Sequence, residues 1–280
     1  MNVALCPERI DILSLCTGGA GLDLGVELAI PSARTVCMVE REAFAVAHLV
    51  AAMQKGLLAP APVWSDARTF NGRAWRGAVD GVIGGIPCQP WSRAGKRNGK
   101  ADERDLWPAA RRIVVQSRAW FVLIENVPGM VDEGGAERVW RNLQRLGFAL
   151  EGGLFSAAET GAAIRRDRLF ILAVADDARC QRTIGKRESD QKGQWRSSPR
   201  SQSLRPVGRH GPPRPDQVSL IPRDPDGLAA RILRHRHDAL RMCGNGVHPL
   251  AAGNAIRTLA TRLADRGSRG AIKLVGMMDE

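Results

Sequence analysis

No stretch of this chain reaches the ~18 consecutive apolar residues that a membrane-spanning helix needs. Its opening residues already carry Glu8 and Asp11, so no secretory leader is expected. Six cysteines are scattered from Cys6 to Cys243 with no CxxC pair. That spacing argues against a disulfide framework or a zinc knuckle and for a reducing, cytoplasmic setting. A strict GxGxxG is missing, because Gly19-x-Gly21 is followed by Leu24, which argues against a dinucleotide site. Internal repeats are absent, and acids are in short supply, 29 against 41 Lys and Arg, for a net charge of +12. Such an excess favours a polyanionic partner and says nothing of fold. What is present is ample: 280 residues, 44% of them hydrophobic, enough for one large domain with a small insert.

The first 175 residues alternate short β-like runs with helical patterns. Strands are expected at Ile10–Leu15, Thr35–Val39, Pro62–Trp64, Val79–Ile86, Trp120–Ile124 and Leu169–Val174. Helices are expected from Leu22, over Glu42–Lys55, Leu106–Arg118 and Ala136–Gly147, and later over Leu228–Arg241 and Leu250–Leu263. This alternation predicts an α/β fold with a doubly wound, mostly parallel sheet. Composition then changes: residues 178–223 hold 11 Lys/Arg against Glu188, Asp190 and Asp216, about two-thirds of the chain's excess charge. That stretch reads either as a disordered linker or as a nucleic-acid-binding insert. The expected organisation is a catalytic unit at 1–175, a small basic region at 176–227, helices at 228–266 that return to the catalytic unit, and a tail at 267–280.

The chemistry-bearing residues lie at strand ends. Ile10–Leu15 runs into Cys16, Gly18, Gly19 and Gly21 and then a helix, a strand–glycine turn–helix unit that lets a nucleotide-type ligand approach bare backbone. Glu40 ends the second strand, where a carboxylate can accept hydrogen bonds from ribose hydroxyls, and Asp66 follows the third, within reach of an adenine amino group. Two acids without a phosphate-gripping lysine suit a nucleoside such as S-adenosyl-L-methionine. Taken singly, each acid also fits a solvated strand end. Cys88 leaves an apolar strand between Pro87 and Pro90, at the carboxyl edge where doubly wound folds bind ligands. A lone cysteine is more often a small packed apolar residue, but packing does not account for the two flanking prolines. Glu125 ends the apolar run Phe121–Ile124, so burial should raise its pKa. Arg166 and Arg168 alternate along an extended segment and suit a phosphate or a base carbonyl, or equally a solvated strand start.

Together these residues resemble the DNA cytosine-5 methyltransferase family. The loop Cys16–Gly21 resembles its first cofactor motif, and Glu40 and Asp66 its second and third. Pro87-Cys88-Gln89 looks like its Pro-Cys loop, Glu125-Asn126-Val127 like its Glu-Asn-Val motif, and Arg166 and Arg168 fall on the arginines of Gln-x-Arg-x-Arg. Gly244-Asn245-Gly246-Val247 is similar to the last motif, and 178–223 lies where the family keeps its target recognition region. Cys16 replaces an aromatic, Ala20 a glycine, Ile164 the motif glutamine, and Arg41 stands where an aromatic often follows the ribose acid.

The resemblance implies a class I S-adenosylmethionine-dependent methyltransferase fold and methylation of a flipped-out cytosine in double-stranded DNA. It implies cofactor contacts from Cys16, Gly18, Gly19, Gly21, Glu40, Asp66, Ala67, Pro87, Leu106 and Asn245. Catalysis would fall to Cys88 as nucleophile, Glu125 as acid, Arg168 on the carbonyl and Arg166 positioning Cys88 and Glu125. No metal and no membrane partner are expected, a monomer suffices, and a nucleoid-associated cytoplasmic location follows. Two rivals remain: an RNA cytosine-5 methyltransferase, and a catalytically silent DNA-binding protein on the same fold.

Overall fold

A computed structural model of the chain describes residues 9–87, 105–176, 238, 239, 242 and 244–279. Cys88, the basic 178–223 stretch and nearly all of the expected 228–241 helix lie outside the described residues.

Seven strands form one sheet: β1 (Ile10–Leu15), β2 (Ala33–Val39), β3 (Val63–Trp64), β4 (Gly81–Gly85), β5 (Phe121–Asn126), β6 (Phe148–Ser156) and β7 (Asp167–Ala175), in the order β3-β2-β1-β4-β5-β7-β6. The first five pair in parallel, and β7 runs antiparallel to both β5 and β6. β1 and β5 are buried at every residue. This is why both read as nearly unbroken apolar runs: a parallel strand covered on both faces has no solvent side to alternate toward. The chain leaves β1 toward β2 on one side and later returns to β4 on the other. The carboxyl ends of β1 and β4 therefore flank the switch point where such sheets open a ligand crevice.

Helices α1 (Gly21–Ala29), α2 (Ala43–Gln54), α3 (Trp107–Ser117), α4 (Gly129–Asp132) and α5 (Gly135–Arg145) precede the return helices α6 (Pro249–Asp265) and α7 (Arg269–Gly276). α6 lies against α1 at a very short approach. A Cβ on Gly25 would fall 2.5 Å from the Ala252 Cβ and 2.6 Å from the Pro249 carbonyl, so only glycine fits.

Three elements differ from the sequence reading. β6 is a nine-residue edge strand where none was expected, because its central Glu151-Gly152-Gly153 reads locally as a turn. The short α4 was also missed. Residues 267–280 are not a loose tail: α7 buries Ala271 and Leu274, and Ser268 caps it by accepting from the Ala271 N–H at 3.3 Å. Asp176, just past β7, holds the helix start by accepting from Ser268 Oγ at 2.7 Å and the Gly270 N–H at 2.9 Å.

Candidate active site and cofactor cleft

A cleft of about 1020 Å³ opens at the carboxyl ends of β1, β2, β4 and β5. One wall is the loop between β1 and α1. The N–H of Cys16 donates to the Val39 carbonyl at 2.7 Å, strapping the loop to β2. Within it Cys16 (φ 52°), Gly18 (φ 56°) and Ala20 (φ 60°) are all left-handed. For the two non-glycines that conformation costs roughly 1–2 kcal/mol each, so the loop is held by its surroundings rather than by preference. Gly21 is the residue where glycine is obligatory: a Cβ there would lie 2.1 Å from the Val247 carbonyl of the returning C-terminal segment. The Gly244–Val247 turn thus packs against the glycine loop.

Glu40 is buried and uses both carboxylate oxygens. Oε2 accepts from the Gly18 N–H and Oε1 from the Glu42 N–H, each at 2.7 Å. It braces the glycine loop as well as facing the cleft. Asp66 accepts from the Arg68 N–H at 2.8 Å and pairs with its guanidinium at 3.5 Å. Arg112 of α3 clamps the stretch after Asp66, donating to the carbonyls of Ala67 (2.8 Å), Arg68 (2.9 Å) and Phe70 (3.0 Å).

The opposite wall carries the acid. β4 and β5 end in register, Gly85 beside Glu125, and a Cβ on Gly85 would sit 3.0 Å from Glu125 Oε2. Glycine at 85 leaves room for that carboxyl. Arg168 of β7 pairs with Glu125 Oε1 at 2.9 Å, with both side chains largely buried. Burial pushes the Glu125 carboxyl up to about 7, and the nearby Arg168 and Arg166 guanidiniums hold it back from going higher. Asn126 donates to the Ile86 carbonyl at 2.8 Å, fixing the chain immediately before Pro87 and Cys88.

All ten residues expected to touch the cofactor line this cleft, together with Glu125 and Arg168. Arg166 is not in its wall; its Nη2 donates to the Gly244 carbonyl at 2.5 Å, tying the arginine strand to the last motif. The placement of Cys88 falls outside the described residues. Of the two cysteines described as free, Cys16 has its thiol pushed up to about 12 by burial and then by Glu40, and Cys37 is pushed up to about 11 by burial. Neither is a usable thiolate at neutral pH. Among the described residues no group of three or more His, Cys, Asp or Glu is placed to hold a metal, and no helix is long and apolar enough to cross a membrane.

Sequence reasoning missed several wall residues. Phe44, in the first turn of α2, lines the cleft and brings an aromatic ring to a neighbourhood where Cys16 and Arg41 replace aromatics. Its signal was an aromatic four residues past the strand-end acid. Ser14, Thr17 and Asp23 also line it, and nothing in their local spacing marked them.

Six carboxylates (Asp23, Glu40, Glu42, Asp66, Glu125, Asp238) and three guanidiniums (Arg41, Arg68, Arg168) share the cleft. Among the described residues, acids outnumber guanidiniums in this wall, although burial raises the Asp23 and Glu125 carboxyls and so lessens their charge. The sheet order, with the cleft at its switch point, defines an α/β fold of the doubly wound class with its ligand crevice at the carboxyl edge.

The family model of C-5 cytosine-specific DNA methylase matches residues 10–207, and the chain belongs to that family. Type II methyltransferase M.NgoMIV of Neisseria gonorrhoeae is 32% identical over 172 residues, 59% of this chain and 52% of that protein. Type II methyltransferase M.NaeI of Lentzea aerocolonigenes is 30% identical over 170 residues, 60% of this chain and 40% of that protein. The chain thus spans about half the length of these relatives. Among solved structures, the Dnmt2 methyltransferase of S. pombe has a TM-score of 0.46 at 24% identity, covering 60% of this chain and 51% of that one.

Proposed function

We propose that this chain transfers the methyl group of S-adenosyl-L-methionine to carbon 5 of a cytosine flipped out of double-stranded DNA, by way of a covalent Cys88 adduct. The observation that carries this reading is the buried Glu125–Arg168 pair at the β4–β5 edge, one strand from the Ile86-Pro87 exit and across a cleft that favours a cationic nucleoside.

The cofactor fits the residues present. Glycine at 21 lets the Val247 carbonyl close on the loop, Glu40 and Asp66 in the cleft wall are assigned to ribose hydroxyls and an amino group, and the acids of the described wall favour a sulfonium. When bound it supplies an electrophilic methyl group. Carbon 5 of cytosine is a poor nucleophile until carbon 6 is saturated. A thiolate is the soft nucleophile that such an addition needs, and Cys88 follows a strand end pinned by Asn126. Addition places charge on ring nitrogen 3 and the carbonyl. Glu125, with a pKa near neutrality, holds a proton for the nitrogen, and Arg168 serves the carbonyl. Carbon 5, made nucleophilic by the addition, takes the methyl group, and transfer of its proton to a water lets the ring expel Cys88 as a thiolate and regain its aromaticity. Stacked bases are out of reach of such a site, so the target must leave the duplex.

The basic 178–223 stretch is assigned to the DNA backbone, with 176–227 as recognition region and the remainder of the chain as one catalytic unit. A monomer acting on chromosomal DNA in the cytoplasm fits one site per chain.

The test is base-resolution mapping of 5-methylcytosine in a methylation-free bacterial host expressing the chain, with Cys88→Ala as control. Methylation at one short sequence, absent in the variant, is expected. An unmodified genome with methyl transfer to tRNA would replace DNA by RNA. Retention of more than a few per cent activity in Cys88→Ala would overturn the covalent step.

A further inference from the structure

Asp23 has no part in the chemistry above, yet it is 1% exposed, lines the cofactor cleft and lies at the start of α1. Each of its oxygens has a different hydroxyl partner. Thr35 Oγ1 of β2 donates to Oδ1 at 2.8 Å, and Ser14 Oγ of β1 donates to Oδ2 at 3.1 Å. Ser14 Oγ in turn accepts from Thr17 Oγ1 at 3.0 Å, and Thr17 belongs to the loop that walls the cleft. The result is an oriented chain: the Thr17 hydroxyl donates to Ser14, and Ser14 donates to the carboxylate. A carboxylate accepts at both ends and fixes this direction. Burial pushes the Asp23 carboxyl up, and the Thr35 and Ser14 hydroxyls draw it back. A polar group so enclosed is costly to bury unless it is hydrogen-bonded, and both of its oxygens have a partner here.

The loop it reaches needs holding. Cys16 and Ala20 are left-handed without being glycine. Glu40 restrains the middle of the loop from the side at Gly18, while nothing but the Thr17–Ser14–Asp23 chain reaches it with side-chain hydrogen bonds from beneath, among the described residues.

We propose that Asp23 is a positioning residue for the cofactor: through Ser14 and Thr17 it fixes the Cys16–Ala20 loop in the left-handed form that receives the ligand. This rests on the reading that the cleft binds S-adenosyl-L-methionine. The two oxygens divide the work. The Oδ1 arm to Thr35 ties α1 to β2 and serves the fold. The Oδ2 arm serves the loop.

The substitution Asp23→Asn keeps shape and size, but its amide can accept from one hydroxyl and must donate to the other, reversing or breaking one arm. S-adenosyl-L-methionine binding is read by calorimetry and folding by thermal melting, on the whole chain, for Asp23→Asn, Ser14→Ala, the double variant and Thr35→Val. Asp23→Asn and Ser14→Ala are each expected to weaken binding about tenfold, the scale of one hydrogen bond to a charged group. The double variant should be no weaker than the worse single one, since both cut one path. Thr35→Val should lower the melting temperature and leave affinity unchanged. Unchanged affinity in Asp23→Asn, or losses that add in the double variant, would overturn the proposal. If Asp23→Asn does not fold, Ser14→Ala against Thr35→Val decides alone. Wild-type protein that binds no S-adenosyl-L-methionine would overturn the cofactor reading beneath it instead.

Discussion

Glu125 illustrates how one side chain acquires its chemistry from its neighbours. Enclosed at the end of β5, its carboxyl titrates at about 7 because burial disfavours the charge, with Arg168 limiting the rise. Below that pH it carries a proton to give; above it the proton is gone. Methyl transfer that depends on this proton should therefore fall as pH rises through about 7, and single-turnover rates on either side of neutrality measure that limb. Glu125→Gln cannot give a proton, and its rate should drop about 10²–10⁴-fold with the alkaline limb lost. Glu40 is a contrasting acid. Its two oxygens hold the Gly18 and Glu42 N–H groups, so Glu40→Ala releases the loop and, on the proposed reading, removes a cofactor contact with it. Calorimetry should find cofactor affinity down by about tenfold or more, with DNA affinity little changed.

At the scale of elements, close approaches set the tolerances. Gly25→Ala would press a methyl into Ala252 and the Pro249 carbonyl where α1 crosses α6. Overpacking of that kind costs about 1–3 kcal/mol, to be measured as a lower denaturant midpoint at unchanged slope. The elements that the sequence showed clearly are those with one dominant signal. β1 and β5 are buried at every residue because they are central and are apolar apart from Asp11 and Ser14 in one and the terminal Glu125 and Asn126 in the other, and α2 and α3 fall within a residue or two of their expected limits. β6 was hidden because Gly152 and Gly153 face Trp140 and Phe155 at short range, a tertiary reason for glycine that looks locally like a turn. α7 is short, and although Ser268 caps it locally, the Asp176 carboxylate that holds its start is far away in sequence. The site followed the same division. Strand-end acids and glycines announce themselves by position, whereas Asp23, Phe44 and Arg112 matter through contacts that no local pattern encodes.

For the whole molecule, the informative contrast is between its charge and that of its cleft. The chain carries +12, yet among the described residues the cleft wall holds six acidic side chains and three guanidiniums. Binding to the polymer and binding to the nucleoside should therefore respond differently to salt. DNA affinity should fall steeply and linearly on a logarithmic scale as counterions are displaced. Cofactor affinity, which does not depend on displacing the counterions condensed on a polymer, should change far less over the same range. Parallel titrations at low and high salt check this, and equal slopes would count against separate electrostatic sites.

The approach of Val247 to Gly21 also has a consequence in time. The wall of the nucleoside cleft is completed by residues translated long after β1, with the basic stretch between them. A nascent chain that has emerged only as far as β7 already has the central strands and their strand-end acids, yet lacks the Val247 segment that packs against Gly21, so this part of the cleft wall is the last to be built.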